Sequence, residues 1–520
     1  MRGFLASSIG VATAAVTALA LPFALPAPSR AATAPVAPAG STRSLPLAPL
    51  GPADRTAPAP GAPEVQGLTV REAGTFSMIG VVWDDAAAEL HGRVQVRTRS
   101  VRTGAWSAWQ DVETHNAEHA ADPGASEHTL RGTTAPLWVG ASDGVDIRVR
   151  ATGPAPRATP HRLPSGLRLE LVDPGPDAVD EPPATLPAAD DQAPASDTTG
   201  LTDPFADSFA DPFAAPAVAV ADRTGPTPPA GTGTGPGTGT GPGTGTGPGT
   251  APKPAGPRKP AGDDKGTLPA LGTAVAETSA ANLPLAPIGA HEIGAQTREE
   301  STAEALAVLE GQVAPGAKPY IGPRPRIVTR RGWGADESLR EAGFAYTKTV
   351  KAAFVHHSAS GNNYTCAEAP AVLRSLYRYH VVSSGWRDFG YNFAVDKCGT
   401  VYEGRAGGVA KPVLGAHTMG FNGNSMGVAV LGSYTNTRPP AAAVDAVARL
   451  TAWKLGLFGA NPLGKTTLVS GGGNLYTKGK NVTLNVISGH RDGFATECPG
   501  KQLYGKLGTT RSTSARLQGR

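Results

Sequence analysis

A chain of 520 residues has room for two or three domains, yet its 66 glycines and 49 prolines are too many for one continuous core. Its 47 Lys and Arg nearly balance 43 Asp and Glu, so the net charge of +4 excludes a uniformly basic or acidic protein. Three cysteines exclude a dense disulfide scaffold.

The first residues, MRGFLASSIGVATAAVTALALPFALPAPSRAA, hold one arginine, an apolar run and small residues around Ser29 to Ala32. This is the pattern of a secretory signal peptide over residues 1–32. Ser7, Ser8 and Gly10 at one end and Pro22 and Pro26 at the other shorten the run below the roughly twenty residues of a membrane anchor. No later stretch is apolar enough to span a bilayer, so the expectation is a secreted protein, extracellular or wall-associated, without stable membrane insertion.

Residues 33–62 are expected to be disordered. Residues 63–172 read as short alternating strands: VQVRTRS from Val94, AWSAWQDV from Ala105, LWVGASDG from Leu137, VDIRVRA from Val145 and LRLELV from Leu167. Glycine and polar turns separate them, which predicts an all-β, sandwich-like ancillary domain. Its histidines, His91, His115, His119, His128 and His161, have no metal-ligand spacing. Trp106 and Trp109 suit either sugar stacking or packing at a strand end.

Residues 173–316 are rich in Pro, Ala, Gly, Thr and Asp, with a GTGTGP-like tract from Gly231 to Thr250, and are expected to form a long disordered linker. Within it, TDPFADSFADPFA (Thr202 to Ala214) repeats an acidic and aromatic pattern. Charge is partitioned. Residues 173–310 carry 6 Lys and Arg against 19 Asp and Glu, whereas residues 324–520 carry 25 against 10. A basic domain on an acidic tether suits a polyanionic surface; export argues against nucleic acid.

The second folded segment, residues 323–510, interleaves strand and helix patterns: VKAAFVHHS, the helical CAEAPAVLRSLYRYHVVSSG, the hairpin YNFAVDKCGTVYEGR, the strand SMGVAVLGSY and a helix from about Pro439 to Phe458. That predicts an α/β domain, a mixed central sheet flanked by helices. Residues 511–520 are expected to be a flexible tail.

Three cysteines cannot all pair. Cys366 opens a helix and Cys398 sits in a hairpin turn, irregular positions that take a disulfide in an exported protein; Cys498 remains, eight residues after His490. A thiol beside a histidine is what a zinc site uses, because the metal holds the sulfur as thiolate. His356 and His357 end an apolar strand and point to opposite faces, so one of them can supply a third ligand; periodicity does not choose which. His380 is expected to pack against Trp386.

The strand FVHHS, the run GWRDFGYNFAVDKCGTVYEGR, the segment GAHTMGFNGNSMGVAVLG and the ending SGHRDGFATECPG together resemble the peptidoglycan recognition proteins and the related zinc-dependent N-acetylmuramoyl-L-alanine amidases, of secreted actinobacterial type, over residues 324–507. The resemblance implies Zn2+ as cofactor, with His356, His490 and Cys498 as its ligands and His357 on the other face. It makes Tyr391 the hydrogen-bonding tyrosine of the reaction, with Thr496 at its companion position. It implies hydrolysis of the bond between N-acetylmuramic acid and L-alanine in peptidoglycan, with binding without turnover as the alternative. Proton transfer to the leaving nitrogen is expected from Tyr391 first and Glu497 second. Substrate contacts are expected from Arg405, His417 and Asn422, although His417 equally suits a packed loop. Anionic wall polymers are a further expected partner of the basic domain.

Overall fold

The computed structural model describes residues 40–50, 64–114, 116, 130–152, 162–176, 272–308 and 319–520. The expected signal peptide, the glycine–threonine tract, the Thr202–Ala214 repeat and His115, His119, His128 and His161 lie outside the described residues.

The N-terminal part is an antiparallel sheet of nine strands: β1 (Ser41–Pro46), β2 (Ala48–Pro49), β3 (Val65–Val70), β4 (Phe76–Trp83), β5 (Gly92–Ser100), β6 (Gln110–Val112), β7 (Gly132–Thr133), β8 (Leu137–Ala151) and β9 (Arg168–Asp173). The two strands expected over residues 137–151 are one, β8, whose start pairs with β4 and whose end pairs with β3 and β5. Gly140, at φ +69, supplies a backbone turn that side-chain-bearing residues disfavour. Val145, Ile147 and Val149 then face a core of Val94, Val96, Ile79, Val81 and Leu169, while Asp146, Arg148 and Arg150 alternate outward. On the outer face Arg97 and Arg148 stack on Trp106 and Trp109, so those tryptophans pack against guanidinium groups.

β4 is buried at every position. Ile79, Val81 and Trp83 face the sheet's own core, whereas Met78 and Val82 join Leu373, Leu376 and Tyr379 of the C-terminal half in a shared cluster. The described residues of 40–176 and of 272–520 therefore form one compact unit.

Three sequence expectations need correction. The stretch read as linker includes the end of β9 and three ordered elements: α1 (Thr273–Ala280), β10 (Glu292–Ile293) and α2 (Arg298–Val308). Local composition misleads there because the stabilisation is long-range. Asn282 Nδ2 donates to Glu403 at 2.9 Å, Thr278 Oγ1 to Glu337 at 3.1 Å, and Ile293 and Ala305 join the central core. Residues 33–62 include β1, paired to β9, and β2, paired to β3. Residues 511–518 of the expected tail lie within a helix that packs Ser514 and Gln518 onto Thr451 and Ala452.

The C-terminal half continues with β11 (Ile327–Val328), β12 (Ala352–His357), α3 (Ala369–Arg378), β13 (Phe393–Val395), β14 (Val401–Glu403), β15 (Ser425–Val430), α4 (Ala441–Leu457), β16 (Lys465–Val469), β17 (Asn481–Asn485), β18 (Ile487–Gly489), α5 (Lys501–Tyr504) and α6 (Leu507–Gln518). Its central sheet is mixed, in the order β10-β11-β14-β13-β15-β12-β18, and β13, β15, β12 and β18 run parallel. Near-continuous apolar stretches such as Ala352–Val355 and Met426–Val430 make these strands, buried on both faces. α4 covers one face with Val447, Leu450 and Trp453, and α3 the other with Leu373 and Leu376. Cys366, just before α3, is bonded to Cys398 in the turn between β13 and β14.

Candidate metal centre and catalytic cleft

Register brings the first two candidate ligands together. In the parallel pair β12 and β18, Val355 lies opposite Gly489, so the next residues, His356 and His490, lie side by side at the carboxyl edge of the sheet, where open α/β sheets bind ligands. Their ring centroids are 4.5 Å apart and both side chains are fully buried. After His490 the chain makes a short turn and returns through Thr496, whose Oγ1 accepts the Cys498 amide at 3.1 Å; the Arg491 amide donates to the Cys498 carbonyl at 3.0 Å. This loop sets the buried Cys498 Sγ 3.7 Å from His356 Nδ1.

One ligand atom from each of His356, His490 and Cys498 lies within 4.8 Å of the others. Tetrahedral zinc with Zn–N near 2.0 Å and Zn–S near 2.3 Å puts sulfur and nitrogen ligands about 3.5 Å apart. The 3.7 Å separation and the donor set of two imidazoles and a thiol fit that ion. His357 points the other way, and its Nδ1 accepts the Tyr434 amide at 3.2 Å.

Behind His356, its Nε2 lies 3.4 Å from Thr418 Oγ1, which is in turn 3.0 Å from His417 Nδ1. This chain of contacts fixes the ring orientation that points Nδ1 toward the sulfur. Thr418 carried no signal of its own in the sequence, because a threonine in a glycine-rich segment reads as loop. Tyr391 enters the same cleft just before β13, its ring 5.3 Å from that of His356 and nearly buried.

The remaining sequence candidates take varied places. His417 is buried beside His356, with ring centroids 5.3 Å apart, and a side chain at Gly427 would overlap its ring. Asn422 Oδ1 accepts the amides of His417 and Thr418 at 2.7 and 3.0 Å and so shapes that loop. Arg405 directs Nε to the Phe389 carbonyl and Nη1 to the Leu414 carbonyl. Glu497 is 71% exposed and ion-paired with Arg491 at 3.1 Å, on the solvent side of the loop. His380 stacks on Trp386 with centroids 4.4 Å apart.

Sequence reasoning missed a second polar cluster, behind the hairpin β13–β14. Arg330, 1% exposed, donates to Glu337 at 2.7 Å, to Asp388 at 3.0 Å and to the Gly404 carbonyl at 2.6 Å. Arg340 adds a 2.8 Å bond to Glu337, and Glu403 accepts from Asn282 and from the Arg330 amide. Burial pushes the Glu403 carboxyl up to about 7. Burial also holds the Lys454 ammonium, which donates to the Val409 and Lys411 carbonyls, well below its ordinary value.

Two family descriptions match the chain: "N-acetylmuramoyl-L-alanine amidase" over residues 346–501 and "Rv3811 N-terminal galactose-binding domain-like" over residues 28–166. Peptidoglycan-recognition protein SC2 of Drosophila simulans is 32% identical over 184 residues, 35% of this chain and 85% of the relative. The human N-acetylmuramoyl-L-alanine amidase is 33% identical over 199 residues, 37% of this chain and 27% of the relative. Among solved structures, wild-type Drosophila PGRP-LB aligns at 25% identity and TM-score 0.29, over 35% of this chain and 93% of that one.

Proposed function

The chain belongs to the family of peptidoglycan recognition proteins and N-acetylmuramoyl-L-alanine amidases, and from that premise we propose that it is a secreted, zinc-dependent amidase hydrolysing the bond between N-acetylmuramic acid and L-alanine in peptidoglycan. One observation carries turnover over binding alone: the thiol of Cys498 converges with His356 and His490 beside Tyr391. His356, His490 and Cys498 would hold a zinc ion, which would supply an activated water and polarise the amide carbonyl.

The chain's own residues do the rest. Tyr391 donates a hydrogen bond to the carbonyl oxygen as negative charge develops on it, a contribution of about 3 kcal/mol per donor. Thr496, on the loop that delivers the sulfur, is the second donor. Tyr391 is also the proton source for the leaving L-alanine nitrogen, since Glu497 is turned to solvent by Arg491. His417 lines the cleft beside the metal ligands, and Arg405 and Asn422 hold the segments that form its walls. The excess of basic residues over 324–520 favours approach to a wall bearing anionic polymers. No helix among the described residues is long and apolar enough to cross a membrane.

Digestion of purified peptidoglycan with mass analysis of the products tests this. The expected result is stem peptide released with a free L-alanine amino terminus, abolished by a chelator and restored by zinc. Zinc-loaded protein that binds wall and releases no peptide is a recognition protein and not a hydrolase.

A further inference from the structure

α3 does not end in a capped turn. It runs into a single π-helical turn, Tyr379–Ser383, closed by the Ser384 amide donating to the Tyr379 carbonyl at 2.9 Å. Such i→i+5 turns are rare and frequently mark functional sites. This one has the N-terminal β domain on one side and the catalytic cleft on the other.

On the β-domain side, Tyr379 is fully buried and its hydroxyl donates to the Thr134 carbonyl at 3.0 Å. Ser383 Oγ donates to the buried carboxylate of Glu170 at 3.0 Å, and the Arg131 amide donates to the Ser384 carbonyl at 3.2 Å. The fit is tight enough that a methyl group on Gly80, in β4, would overlap the Tyr379 ring. Met78, Val82, Trp138 and Val172 complete the contact with α3 in one apolar cluster.

On the cleft side, the turn carries His380 inward. Its Nδ1 accepts the Gly390 amide at 3.3 Å, its ring stacks on Trp386, and its centroid is 5.8 Å from that of Tyr391. The residue after Gly390 is Tyr391. Four links therefore run without a gap from the β domain to the tyrosine: Thr134 and Glu170, the π turn, His380, and Gly390–Tyr391.

We propose that the β domain serves as a positioning element of the catalytic cleft, holding the π turn so that His380 fixes the backbone at Gly390 and the Tyr391 hydroxyl stays aimed at the reacting carbonyl. Tyr379, Ser383 and His380 are positioning residues in this scheme. The kinetic part rests on the amidase reading; the structural part does not.

The test uses the full chain with Tyr379→Phe and Ser383→Ala combined, and two readouts. In hydrogen exchange, the peptide spanning 386–392 is expected to lose protection while β12 and β15 keep theirs. In muropeptide hydrolysis, kcat is expected to fall about tenfold, with KM and zinc stoichiometry unchanged, since displacing a reacting group by about 1 Å costs up to about a hundredfold. In a Tyr391→Phe background the same pair should cost less than about twofold, because both act through one residue. Glu170→Gln, which keeps an acceptor for Ser383, should stay within about twofold of the parent. If the double variant does not fold, Tyr379→Phe alone carries both readouts.

Unchanged exchange at 386–392 together with unchanged kcat overturns the proposal, as does an equal loss in the Tyr391→Phe background. A parent protein that releases no peptide sinks the amidase reading, and the exchange readout then decides the positioning role by itself.

Discussion

The C-terminal half holds two buried polar clusters, and they are built for opposite ends. In the first, two guanidinium groups, Arg330 and Arg340, are matched by the carboxylates of Glu337 and Asp388 at 2.7 to 3.0 Å. In the second, His356, His490 and Cys498 turn lone-pair donors toward one point. Opposite charges that satisfy one another make a fastening; like donors that converge make a receptor for a cation. Burial is the same in both, so burial of polar groups alone does not separate structure from function.

That contrast is broken first by Glu337→Ala, the change with the largest expected effect. It leaves Arg330 and Arg340 in the interior without their shared carboxylate, and removing one partner of a buried pair costs about 3–5 kcal/mol. Denaturant unfolding should show a loss of that size, with zinc content falling only as the folded fraction falls. A stability change under about 1 kcal/mol would mean that the network is not a fastening.

Next comes the converse, Cys498→Ser. The sulfur lies at the end of a loop already held by the Thr496 hydroxyl and the Arg491 amide, so the fold should persist. Zinc affinity and peptide release should each drop by a thousandfold or more, roughly 4 kcal/mol. Equilibrium dialysis against zinc, with melting followed in parallel, checks both halves of this expectation.

The same contrast explains what the sequence disclosed. His490 and Cys498 are eight residues apart in one loop, and His356 ends an unbroken apolar strand; local pattern and short spacing are legible without coordinates. Periodicity alone left His356 and His357 open; the resemblance pointed to His356, and the register of β12 against β18 sets that residue beside His490. The fastening left no such trace, because the nearby Arg330 and Glu337 meet Asp388 and Glu403 from distant stretches, and all four are ordinary charged residues where they stand. Residues 272–308 were misread for the same reason: Thr278 and Asn282 acquire their role only through Glu337 and Glu403. β4 also went unremarked, since a strand buried on both faces has no alternation to reveal it.

A smaller effect sharpens the receptor side. Thr418→Val removes the hydroxyl 3.4 Å from His356 Nε2 without changing the side chain's shape much. Loss of such an orienting partner costs about 10- to 100-fold in metal affinity, and this bond is long, so the lower end applies. Competition with a chromophoric chelator should show about a tenfold weaker site at unchanged stoichiometry. Unaltered affinity would mean that the ring of His356 is oriented by its packing alone.

The fastening also carries a pH dependence. Two guanidiniums face three buried carboxyl groups, and the set balances when Glu403, pushed up to about 7 mainly by burial, keeps its proton. In the unfolded chain Glu403 ionises near 4.5. Between those two values the folded state therefore holds a proton that the unfolded state has released. Stability falls as pH rises through this window, by at most about 1.4 kcal/mol per pH unit from this one group. Below the window the group contributes nothing to the slope, and above it the penalty is complete. Glu403→Gln mimics the protonated form, so it should flatten the stability profile between about pH 4.5 and 7 and leave zinc affinity alone. A variant whose profile matched the parent's would assign the slope to other groups and remove Glu403 from the fastening.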